Sequence, residues 1–542
     1  MNDSGDVAEA LAIHDGRVVA IGGNEEVLGA WTAGRVIDGA SRNVYPGFID
    51  AHAHLYGLGE EALILGLHET RSKKEVLDAL KQRAASTPAE EWIRGRGWDQ
   101  NDWDRKEFPT RSDLDAATRS HPVFLSRIDG HAVWVNSRAL EIAGIDRNTP
   151  DPDGGRILRD AQGEATGILL DQAIELVRAF IPPPDITQMR EAYANAVQRC
   201  LETGMTGMHD MGMTATGIDA IRGLIATNRF PFHVVAYLDD GPDEWKSLLK
   251  LGRQVIGEQQ LVIAGLKLYA DGALGSRGAR LLEDYSDDPG NRGIVIQSGE
   301  TIRKESEHAL QAGLQVCVHA IGDAAVRSVL DAYESALRTH PSPRYPLRIE
   351  HAQIVSSQDI PRFAALGVVP SMQPTHCTSD MRWAEARLGE GRIRNAYPWA
   401  SLIESGAWIP GGSDFPVERP APLAGMYAAM FRMDADGRPA SQTDIATHFQ
   451  TDAAQPELDE RWRNGWFAEE RMSRRDAVRA FTVWAARAAG LEDQYGSLET
   501  GKRADFVMLS DDILTVPRER FTGIRVLSTW VAGSEVYSAP EQ

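Results

Sequence analysis

Short apolar runs closed by Gly, Pro or Asp recur along this chain, and stretches of helical spacing lie between them. The first, Val44–Leu55, reads as a buried strand. Asp185–Thr203 then reads as a helix leading into a strand at Gly204–Asp210. Further strands are expected at Phe232–Leu238, Val262–Asp271, Leu314–Gly322, Arg348–Val355, Val368–Pro374 and Trp408–Phe415, with a helix at Ala324–Thr339. Eight strands alternating with helices is the count of a (β/α)8 TIM barrel, so the expected fold class is α/β.

Both ends of the chain have a different rhythm. Ala10–Ile13 and Arg17–Ile21 flank Asp15-Gly16, a strong hairpin signal. Near the other end, Arg503–Leu509 and Val526–Gly533 are again strand-like. One small β-sandwich domain built from both termini is expected, because chain ends commonly lie close together. The resulting division is residues 1–45 and 491–542 for that domain and 46–490 for the barrel. An insertion over about 60–180 mixes helical pieces (Lys73–Ala85) with Trp- and Gly-rich loops such as Arg94–Trp103, and it is expected to cover a pocket. Residues 433–470 read as an irregular, acidic excursion.

Composition narrows the function. With 542 residues, 42% hydrophobic and 25% charged, the chain is globular rather than disordered. A formal net charge of −21 disfavours nucleic acid, whose phosphates need a basic surface. Three cysteines without a C-x-x-C spacing argue against a disulfide framework and for a reducing, cytoplasmic setting. The start lacks the regions of a signal peptide, and no apolar run is long enough to span a membrane.

The chemistry begins at the end of the first strand. Alternate residues of a strand share a face, so Asp50, His52 and His54 are placed together, and two neutral imidazoles can grip one metal ion. An H-x-H pair alone is weak. Four more ligand-type residues end later strands: Lys267, His319, His351 and Asp414. Singly, each has a structural explanation; Lys267, for instance, could pair with Asp271. Jointly they occupy strands one, four, five, six and eight, at the end of a barrel where active sites collect.

Several stretches, taken as a set, resemble the amidohydrolase superfamily of metal-dependent hydrolases, and most closely its N-substituted formamide deformylase-like branch. They are Pro46–His54, Asp129–Ser137, Lys267–Arg277, Gln373–His376, Gly412–Pro416 and Gly496–Val507. Members of the family usually carry one more β-strand ahead of a segment like Ala10–Gly23, which leaves the completeness of the β domain open. The resemblance implies two divalent metal ions, with zinc the expected identity. His52, His54 and Asp414 would hold one and His319 and His351 the other, bridged by Lys267 as a carbamylated lysine. It also implies hydrolysis of an amide C–N bond by a metal-bound hydroxide, with Asp414 moving the proton. The substrate would be a small-molecule amide, contacted by Trp98, Asp129, His131, Arg277 and His376. Alternatives are a mononuclear deaminase of the same superfamily and a scaffold without catalysis. The acyl and amine groups, metal identity and oligomeric state, a homodimer included, stay open.

Overall fold

The structure, a computed structural model, describes residues 5–40, 42–67, 70–100, 103, 105, 107–127, 132–152, 155–239, 250–434 and 464–540. Two compact units emerge: Met1–Leu55 together with Ala196–Gln542, and Tyr56–Asn195.

The first unit is built on a parallel sheet of seven strands in sequence order: β1 (Phe48–Ala53), β2 (Met205–Met213), β3 (His233–Asp239), β4 (Leu261–Tyr269), β5 (Gln315–Ala320), β6 (Arg348–His351) and β7 (Val369–Ser371). Nearly every residue of these strands is buried, which fits sheets covered on both faces and explains the continuous apolar runs. The expected eighth strand is irregular in backbone yet closes the barrel. Met372 N–H donates to Pro410 O and Gly412 N–H to Met372 O on one side. On the other, Ala51 N–H donates to Gly411 O and Asp414 N–H to His52 O. Helices follow the strands in the order expected, among them Ala215–Ala226 after β2, Gly299–Gln311 after β4 and Asp323–Thr339 after β5.

The terminal segments meet in the same unit. Ala10–His14 and Arg17–Gly22 form an antiparallel hairpin whose Asp15 and Gly16 have φ of 49° and 72°, the left-handed pair such a turn requires. Its backbone bonds to the other end of the chain through Val18 N–H to Lys502 O and Ala504 N–H to Gly16 O. A four-stranded antiparallel sheet orders Ser534–Ser538, Val526–Val531, Phe506–Leu509 and Asn43–Pro46.

The second unit corrects one expectation. Arg94–Trp103 reads as a loop, but Ile93–Trp98 is a strand inside a six-stranded mixed sheet. Glycine suits it because a Cβ at Gly95 would lie 2.8 Å from Leu125 Cδ2 and 2.9 Å from Leu65 O, atoms of the two neighbouring strands. Of the irregular stretch expected at 433–470, residues 435–463 lie outside the described residues. No helix among the described residues is long and apolar enough to cross a membrane.

Candidate metal centre

The ends of β1, β4, β5 and β6 and the closing segment bring His52, His54, Lys267, His319, His351 and Asp414 to one place. His52 and His54 leave β1 with Nε2 atoms 3.5 Å and 3.1 Å from Asp414 Oδ1. The rings of His52 and His351 have centroids 4.6 Å apart, and those of His351 and His319 are 4.5 Å apart. Lys267, 1% exposed, lies with its Nζ 5.3 Å from the ring centre of Tyr269 and interacts electrostatically with His52, His319, His351 and Asp414. The pairing with Asp271 does not form. Asp271 instead accepts the backbone N–H groups of Ile321, Gly322 and Arg280.

Backbone geometry aims two of these side chains. His351 and Asp414 have φ of 72° and 59°, a region rarely used by residues with a Cβ and often found at functional sites. At His351 the turn breaks the two-residue alternation of β6, so that Glu350 and His351 both reach His52. At the closing segment, Gly412 permits close approach: a Cβ there would lie 2.6 Å from His52 N and 2.8 Å from Asp50 Oδ1. Asp50 accepts bonds from His52 N–H, Ser413 N–H and Ser413 Oγ, tying β1 to that segment. Burial pushes its carboxyl up to about 7.

Burial, followed by the Lys267 charge, pushes His52 down to about 4. His319 is pushed down to about 3 by the same two causes. Burial also drives His351 well below its ordinary value, with neighbouring imidazoles adding to it. Lys267 is lowered by burial, which favours the neutral amine. For His54 burial works downward, but the hydrogen bond and charge of Asp414 raise it. Asp414 is opposed by burial yet held well below the usual carboxylate range by His52, His54 and His376.

The donor set fits divalent metal ions. Among the described residues one buried atom facing the cluster, His376 Nε2, lacks a hydrogen bond, and Asp414 Oδ1 is shared between the Nε2 atoms of His52 and His54. Buried polar atoms are normally satisfied, and neutral imidazoles beside an ionised carboxylate are what such an ion takes as ligands. Two groups have ligand atoms within 4.8 Å of one another: His52, His54 and Asp414, and His351, His376 and Asp414.

The expected substrate contacts fare differently. His376, on the helix Pro374–Asp380 after β7, stacks on His351 at 6.0 Å with Nε2 3.8 Å from Asp414 Oδ2. Arg277 is engaged by the Asp287 carboxylate at 3.1 Å and 2.9 Å. Trp98 is fully buried in an apolar cluster of the second unit with Trp103 and Trp134, and its Nε1–H donates to Leu125 O. That packing occupies its ring and its Nε1–H within the second unit. Asp129 and His131 lie outside the described residues. Sequence reasoning missed Arg348 and Glu350, fully buried charges below the cluster, and Gln373, whose Oε1 is 2.8 Å from His351 Nδ1. Their signal was present: charged residues two apart in an apolar strand share its buried face.

Comparison with known proteins agrees with this geometry. An amidohydrolase family model matches residues 35–537. The putative amidohydrolase YtcJ of Bacillus subtilis is 33% identical over 99% of this chain and 97% of its own length. N-substituted formamide deformylase of Arthrobacter pascens is 27% identical over 97% of this chain and 94% of its own. An uncharacterized metal-dependent hydrolase from Pyrococcus horikoshii superposes with a TM-score of 0.76, at 28% identity over 94% of this chain and 95% of that one. The histidine-rich mouth of a closed (β/α)8 barrel and the match over nearly the whole length lead to one assignment: this chain belongs to the amidohydrolase family, hydrolases of carbon–nitrogen bonds other than peptide bonds.

Proposed function

We propose that this protein hydrolyses the amide C–N bond of a small molecule with two divalent metal ions, His52, His54 and Asp414 holding one and His319 and His351 the other. Lys267, as a carbamate, would supply further ligand oxygens. The observation that carries the reading is the convergence of all six side chains from five strand ends, with the imidazoles of His52, His319 and His351 held neutral and Asp414 ionised. A neutral buried Lys267 amine is the form able to add carbon dioxide, and the carbamate offers two anionic oxygens. Bound there, divalent ions supply a Lewis acid for the carbonyl and acidify water near neutral pH.

The chain's own groups handle the proton. Asp414 has Oδ1 beside His54 and Oδ2 toward His376, so one carboxylate borders both the ligand cluster and the stacked imidazole. It accepts the proton of the attacking water and returns it to the departing nitrogen. The name of the Arthrobacter relative supports N-formyl or other simple N-acyl amides as the first substrates to test.

The test is to load the protein with zinc, measure bound metal, and screen N-formyl, N-acetyl and N-acylamino-acid amides. Release of free amine that disappears on chelation is expected. Release of ammonia from an amino-substituted ring, with one metal per chain, would replace this reading with the deaminase.

A further inference from the structure

We propose that Glu350, fixed by Arg348, is a positioning residue that sets the tautomer of His52 and thereby the affinity of one metal site; this rests on the reading of His52 as a metal ligand. Glu350 Oε2 lies 2.7 Å from His52 Nδ1, and both residues are buried. An arginine is always charged, and Arg348 pairs with this carboxylate through Nε, 2.8 Å from Oε1, and Nη2, 3.1 Å from Oε2. The carboxylate so paired is an acceptor only, so the proton of the neutral imidazole sits on Nδ1. The lone pair is left on Nε2, the atom that faces Asp414 at 3.5 Å. With the opposite tautomer, Nε2 would carry hydrogen and could not bind a cation.

Arg348 is itself clamped from four other strands. Its Nη2 donates to Ala51 O at 2.7 Å on β1 and Ser371 Oγ at 3.0 Å on β7. Its Nη1 donates to His209 Nδ1 at 2.8 Å on β2 and reaches Tyr237 OH at 3.4 Å on β3, while β6 carries Arg348 itself. The carboxylate is therefore paired with a guanidinium that is held in place. His54, His319 and His351 have no contact with Glu350 comparable to that of His52, so its direct contact is with the site that His52 serves, while its charge also reaches Lys267. Carboxylates behind ligating histidines are worth about 10–100-fold in metal affinity.

The experiment titrates zinc into metal-depleted protein against a coloured chelator, for the wild type, Glu350→Gln and Glu350→Asp. The wild type should bind two ions. Glu350→Gln should weaken one of them about 10–100-fold and leave the other unchanged. Glu350→Asp, which keeps the charge for Arg348 but withdraws the oxygen from His52, should do the same. Equal affinities at both sites in folded variants would overturn the proposal, as would parallel loss at both, which marks a purely structural pair. Should the variants not fold, nitrogen NMR of histidine-labelled, zinc-loaded wild type decides: His52 must show a protonated Nδ1, and a protonated Nε2 overturns the assignment. A wild type that binds no zinc would remove the metal reading itself, and the inference with it.

Discussion

At the scale of single residues, the proposed reaction gives Asp414 two tasks that a substitution can separate. Asn at 414 keeps an oxygen for coordination and loses the base. Asp414→Asn should therefore lower kcat by about 100–10,000-fold with most of the metal retained. Substrates with better leaving amines should recover part of the rate. Both kcat and metal content are measured on one sample, and near-normal turnover would move proton transfer to His376. Lys267 offers a second check. In the proposed function its amine must add carbon dioxide before it can offer oxygens, so reconstitution of metal-free protein with zinc should be faster with bicarbonate than in carbon dioxide-free buffer. Lys267→Arg, always charged, should lose that dependence together with bound metal. The six candidate ligands were legible in the sequence because each ends an apolar run, where a polar side chain is conspicuous. The place of Trp98 was less legible, because an indole in a glycine-rich stretch looks like part of a loop while its ring fills a core. Glu350 was legible as a buried charge two residues from Arg348, but its contact with His52 was not: the left-handed φ at His351 that lets both residues face inward is a property of tertiary packing, with no glycine to announce it.

Among the elements, the closing segment 408–414 shows how pattern and conformation can part. Its apolar residues read as a strand, and it occupies a strand's place, yet Gly411, Gly412 and a left-handed Asp414 bend it so that two side chains meet β1. Gly412→Ala would force a Cβ against His52 N and Asp50 Oδ1. A loss of about 1–3 kcal/mol in urea unfolding is expected, with reduced metal content. Ser413→Ala would leave Asp50 without its hydroxyl partner at 2.6 Å and should cost about 1–3 kcal/mol by the same measurement. The strands of the barrel were legible because a sheet covered on both faces demands unbroken apolar runs. The sheet of the second unit was not, because glycines took positions between neighbouring strands where side chains would have shown a period.

On the scale of the molecule, the sequence pointed to joined termini, and the contact of the C-terminal segment with the barrel carries a pH dependence. Asp505, in the C-terminal segment, lies 2.9 Å from His233 Nε2 on β3 and accepts Ala532 N–H at 2.7 Å. Burial opposes its ionisation, but His233, Arg503 and the backbone hold it below its ordinary 3.8. A carboxyl depressed in the folded state adds stability that is present above about pH 4 and is lost as pH falls through the folded value. Asp505→Asn should thus lower the unfolding midpoint at pH 7 and flatten its fall below pH 4, as read from denaturant curves across that range.

The barrel's seam has a consequence for how the protein is made. Asp50 and Ser413, which meet across it, are 363 residues apart in sequence. A ribosome that has released everything up to β7 has exposed His52, His54, Lys267, His319 and His351, but not yet the residue that turns the two halves of the ring into one. Until the last segment arrives Asp414 is missing from the ligand cluster, so under the proposed function an ion captured afterwards would act as a clasp on the ring. If the ion binds only the closed form, free zinc should raise the melting temperature in proportion to the logarithm of its concentration.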